Sequence, residues 1–100
     1  MKIMIVEPRK EPYIADVENE LRALQGVVGG YIETVSPFED PVLLVCDEEG
    51  IWKNYPFNRR VGHGMQIFGT FFLCGVDGEE FADMPEELID KYTDMFGLKG

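Results

Sequence analysis

The chain is short of the groups that most chemistry needs. Its 100 residues include one histidine, His63, one serine, Ser36, and two cysteines, Cys46 and Cys74. Ser36 stands beside Pro37 in a turn with no nucleophile-elbow pattern, which excludes a serine triad. One histidine and two distant cysteines fall short of the ligands of a zinc-type site, so neither metal nor cofactor is expected. Bases are also scarce. Nine Lys and Arg face 19 Asp and Glu, giving a formal charge of −10 and a pI near 4.4. That balance excludes nucleic-acid phosphates and anionic membranes as the main partner. No apolar run is long enough to cross a bilayer, and Met1-Lys2-Ile3-Met4-Ile5-Val6 is interrupted by Glu7, Pro8, Arg9 and Lys10 too early for an export signal. The expected location is the cytoplasm, where thiols stay reduced. Both cysteines lie in apolar runs, Val42 to Cys46 and Phe71 to Cys74, and read as small core hydrophobes.

Hydrophobic residues make up 45% of the chain and aromatics 12%, enough for a folded core. At 11.4 kDa the chain holds one domain, residues 1–100. Lys2 to Glu7 is rich in Ile and Val and predicts a first strand. Ile14, Val17, Leu21 and Leu24 recur at helical spacing and predict a helix, with Glu18 and Arg22 paired on its wet side and Gly26 as its stop. Tyr31, Glu33 and Val35 alternate with Ile32 and Thr34 as in a strand, and the preceding Gly29-Gly30 suggests a bulge or a close backbone approach.

Val42 to Cys46 reads as a buried strand. Asp47-Glu48-Glu49-Gly50 reads as a reversal, with Ile51 and Trp52 returning as a short strand. Lys53 to Gly64 shows no period and reads as a long loop. Met65 to Gly75 predicts one central strand. Asp83 is placed to cap a last helix, with Pro85 in its first turn and Glu86 at the capping-box position. Leu88, Ile89, Tyr92, Met95 and Phe96 form its apolar face, and Gly97 ends it. The sum is an α+β domain: a mostly antiparallel sheet of four to five strands, with two helices packed on one face.

Several segments together resemble the domain of unknown function 3846 family. They are Val28-Gly29-Gly30-Tyr31-Ile32-Glu33, Pro37-Phe38-Glu39-Asp40-Pro41 leading into Val45-Cys46-Asp47-Glu48-Glu49-Gly50, Pro56-Phe57-Asn58-Arg59, and Gly69-Thr70-Phe71-Phe72-Leu73-Cys74-Gly75. The resemblance covers nearly the whole chain. It implies a short bacterial protein of the kind carried by phages and mobile elements, and it implies no biochemical role. Asp47 departs from the family pattern, which has Asn there, and Arg60 to Gln66 is shorter than usual.

Three constellations are candidates for function. From Asp77 to Asp94 there are eight acids against the single base Lys91, a net of −7. Glu79, Glu80, Asp83, Glu86, Glu87 and Asp90 form a face suited to a basic protein surface; the plain reading is a solubilising surface with acids at a helix N-terminus. The second is Asp47-Glu48-Glu49-Gly50, either oxygen ligands for a hard cation or simply an acidic turn. The third is the only basic cluster, in which Asn58, Arg59, Arg60 and His63 would hold an anion or nucleotide with Tyr31 or Trp52 as a stacking face. Its plain reading is that the arginines pair with surrounding acids.

Asp47 or Glu48 with His63 as acid and base is the one catalytic pairing available, in a chain with little room for a water-excluding pocket. No catalytic residue is assigned, and a binding or regulatory protein is expected. An exposed apolar patch of Tyr31, Trp52 and Phe57, serving a larger complex, is a third possibility.

Overall fold

A computed structural model describes residues 1–98. The sheet is built from the most apolar segments. Its strands are β1 (Lys2–Val6), β2 (Tyr13–Asp16), β3 (Ile32–Val35), β4 (Val42–Asp47), β7 (Phe71–Asp77) and β8 (Glu80–Ala82), all antiparallel. The spatial order is β2-β1-β7-β4-β3, with β8 paired to the end of β7. A separate hairpin, β5 (Phe57–Val61) with β6 (Met65–Phe68), forms a second, two-stranded sheet. The two helices are α1 (Leu21–Val28) and α2 (Ile89–Phe96), the latter preceded by a 3-10 turn at Glu86–Leu88.

Strand pleating divides the core in two. Met4, Val6, Val42, Leu44, Phe71 and Leu73 point to the face covered by α2 and the β5–β6 hairpin. Ile3, Ile5, Val45, Phe72 and Cys74 point to the face covered by Leu24 and Val28 of α1. Burial on both faces is why β1, β4 and β7 are continuous apolar runs. It also corrects the expected layering: the helices lie on opposite faces, and the sheet is the middle of three layers.

Other expectations are corrected locally. The helix predicted from Ile14 begins only at Leu21. Tyr13–Asp16 is strand β2, because its backbone completes the ladder with β1, pairing Ile5 with Tyr13 and Lys2 with Asp16. The helical spacing there was coincidental, and Leu21 is 59% exposed. Glu18 therefore precedes the helix. Gly26 lies inside α1, and the stop is Gly29, left-handed at φ 95° with its N–H donating to Gln25 O.

Ile51 and Trp52 are not a strand. They sit in successive turns closed by Gly50 N–H to Asp47 O, Lys53 N–H to Glu49 O and Asn54 N–H to Ile51 O. The predicted loop contains β5, with a bulge between Phe57 and Arg59. Gly69, at φ 83°, divides the predicted central strand into β6 and β7. Asp83 does not cap α2. Its carboxylate accepts the Lys2 N–H at 2.8 Å while Met84 N–H donates to Lys2 O, so this segment extends β1. The end of α2 at Gly97 is as expected.

Candidate functional site

The basic cluster is dispersed by the strand that carries it. The bulge turns Asn58 inward, where its amide donates to Val6 O and Gly69 O, both at 2.8 Å. Arg59 takes the Asn58 side-chain oxygen at 2.7 Å. Its remaining N–H groups reach Phe96 O twice, Lys10 O and Asn58 O. All five guanidinium donors are thus engaged by the protein's own chain. Arg60 is exposed, opposite Gln66 in the hairpin. His63 lies on the hairpin turn beside Pro37 and Met65. Tyr31 and Trp52 lie elsewhere, so the six residues do not converge on one ligand position. The pairing of Arg59 with surface acids is also not seen; backbone carbonyls hold it instead.

The acidic face is displayed. Glu79, Glu80, Asp83, Glu86, Glu87 and Asp90 are all exposed. Among the described residues none of them is in an ion pair, and Lys91 is held by Asp40. The Lys91 ammonium and then the Tyr92 hydroxyl keep the Asp40 carboxyl below the usual carboxylate range. Phe38 packs edge-on against Tyr92 with centroids 4.9 Å apart, so the loop after β3 anchors α2.

A further arrangement forms where β3 and β4 meet the hairpin. A cleft of about 130 Å³ is lined by Glu33, Cys46, Asp47, Glu48, Ile51, Trp52 and Met65 among others. Asp47 is buried; its carboxylate accepts the Glu49 N–H and the Lys53 ammonium, each at 2.8 Å. Burial pushes this carboxyl up, but Lys53, the Glu49 N–H and nearby Tyr55 together outweigh burial and hold it below its ordinary value. Gly30 makes room for the pair: a Cβ there would collide with Lys53 Nζ and lie 2.7 Å from Asp47 Oδ2. The close approach read from Gly29-Gly30 is therefore real. The pair brackets the turn that carries Trp52, which is 84% exposed.

Burial, then Glu33 and Asp47, push the Cys46 thiol up to about 11, so its protonated form is favoured at neutral pH. His63 is not among the cleft's lining residues, so it stands apart from Asp47 and Glu48. Among the described residues, no three His, Cys, Asp or Glu side chains are grouped to hold a metal ion, and no helix is long and apolar enough to cross a membrane.

The sequence reading singled out Trp52 but missed Ile51, Met65 and Glu33, which line the cleft with it. The signal available was the tight turn at Asp47 to Gly50, which had to bring Ile51 and Trp52 back near the end of β4. Met65 had none, since its position depends on a hairpin hidden in an aperiodic stretch. No curated protein and no solved structure matches the chain. A family model described as a domain of unknown function (DUF3846) matches residues 1–97, nearly the entire chain, and the protein belongs to that family.

Proposed function

We propose that the protein is a non-enzymatic interaction protein of the cytoplasm that engages a basic surface on a partner protein. The carrying observation is that its surplus of acids is displayed and unpaired: Glu79, Glu80, Glu86, Glu87 and Asp90 are exposed with no cationic partner among the described residues. Such a surface raises encounter rates with cationic partners and repels nucleic acid. Burial holds both thiols in their neutral form, which favours binding over thiol catalysis. The alternative, capture of an anion or nucleotide, loses support because Asn58 and Arg59 have no free donors. In the mobile-element setting that the family resemblance implies, inhibition of a nucleic-acid-binding protein is one form of this role.

The test is a combined Glu86→Lys, Glu87→Lys, Asp90→Lys variant, whose changes all fall on exposed positions. Immobilised wild-type protein should retain basic proteins from a bacterial lysate, and the variant, folded by circular dichroism, should not. Equal retention by a folded variant overturns the proposal. A native mass spectrum showing a retained anionic molecule of a few hundred daltons would favour the alternative.

A further inference from the structure

β3 is the last strand of its sheet, so one of its edges has no strand partner among the described residues. Glu48 N–H donates to Tyr31 O at 3.0 Å, making those two a bonded pair in the antiparallel ladder. The register continues through Ile32 with Asp47 and Glu33 with Cys46. Bonded and non-bonded pairs alternate, so the N–H and C=O groups of Ile32 and Thr34 point outward from the sheet. Natural edges are commonly blunted by shortness, charge, proline or a bulge. Residues 32–35, Ile-Glu-Thr-Val, have neither proline nor bulge, and the one charge on this short strand is the anionic Glu33, which repels acidic strands and admits basic ones.

Beside this edge lies the Trp52 cleft. Glu33 faces into it, with Glu48 on the rim and the apolar side chains of Ile51 and Met65 exposed next to the indole. Carboxylates around an exposed indole suit a guanidinium or ammonium group, through charge-assisted hydrogen bonds and cation–π attraction. Of the nearby cations, Lys53 is already held by Asp47, and Arg60 lies across the hairpin from Gln66, which also lines the cleft.

We infer that the outer edge of β3 and the adjoining Trp52 cleft dock an extended, basic segment of a partner protein as an added strand. Its backbone pairs with Ile32 and Thr34, and an arginine or lysine enters the cleft between Glu33, Glu48 and Trp52. This rests on the basic-partner reading and specifies where and in what form the partner binds. Added along β3, the segment runs from the cleft toward the end of the sheet that carries Glu79 and Glu80, as the β3–β4 and β4–β7 registers require. A second copy of this chain fits poorly. The two-fold pairing that uses every outward group of Ile32 and Thr34 sets Glu33 against its own copy, with a charge of −10 on each chain.

The probe is a capped peptide alternating arginine and valine, titrated into the isotopically labelled full chain. Trp52, the sole tryptophan, reports the cleft by fluorescence, and amide shifts report the edge. Saturable binding is expected, with shifts at Ile32 and Thr34, and about tenfold weakening by Glu33→Lys or Trp52→Ala. Methylating the peptide's backbone nitrogens should weaken it similarly, and a glutamate–valine peptide should not bind. Shifts confined to Glu86 through Asp94 overturn the edge site yet leave the basic-partner reading standing. Equal binding of the glutamate peptide overturns both. No response of Trp52 or of the edge amides at about 1 mM arginine peptide overturns the edge site alone.

Discussion

Replacing Asn58 with alanine tests the joint on which the hairpin and the cleft depend. The amide bridges Val6 O at the end of β1 and Gly69 O at the entry to β7, and its oxygen receives Arg59. Each neutral hydrogen bond is worth about 1 kcal/mol and the bond from the guanidinium about 1.5–3 kcal/mol. Asn58→Ala removes all three and leaves two buried carbonyls without this donor. The expected loss is roughly 3–5 kcal/mol, a large share of the stability of a domain this size. At roughly 4–8 °C per kcal/mol, the midpoint of thermal unfolding should fall by at least about 12 °C.

Denaturant unfolding followed by circular dichroism measures the loss, and the same variant should speed amide exchange in β5 and β6 before other strands. A loss below about 1 kcal/mol would refute the reasoning, because it would mean water satisfies the carbonyls as well as the amide does. Asn58→Asp should also destabilise, since it replaces the donor with a carboxylate oxygen facing two carbonyl oxygens.

Arg59→Lys keeps the charge but cannot reproduce five donors in a planar fork. It should cost about 1–2 kcal/mol in chemical unfolding and free the C-terminal turn of α2, seen as faster exchange near Phe96. Burial pushes the thiols of Cys46 and Cys74 up to about 11 and 12. Because the folded state favours the protonated thiol, stability is fully present below the ordinary thiol range and declines as pH rises toward those values, so the urea midpoint should fall between pH 8 and 10. A thiol reagent at pH 8 should label neither cysteine until the protein unfolds. Lys53→Gln should raise the titration midpoint of Asp47 by NMR and lower the fluorescence anisotropy of Trp52. Gly30→Ala should do the same by steric collision, and unchanged anisotropy in both variants would show that the ion pair does not hold the turn.

The sequence by itself determined the class of object. Unbroken apolar runs such as Phe71-Phe72-Leu73-Cys74 read as buried strands, and two amphipathic segments read as helices packed on the sheet, but that the helices cover opposite faces came only from the folded chain. The acid surplus, the missing nucleophile motif and the inert cysteines followed from composition and local context. The segment around Tyr13–Asp16 was illegible because a helical spacing over few residues competes with a ladder to β1 that only the folded chain supplies. The hairpin was hidden for a related reason: Asn58 and Arg59 break strand alternation, and they do so because they bond carbonyls on β1, α2 and the turn after β6.

Tertiary structure alone decided which charges remain available. A guanidinium's sequence neighbours do not reveal whether distant carbonyls engage it, as Phe96 and Lys10 engage Arg59. The same holds at the edge of the sheet. Alternation in Tyr31 to Val35 announces a strand, but strand order leaves one side of β3 unpaired beside Trp52, and strand order is set by contacts between residues far apart in the chain.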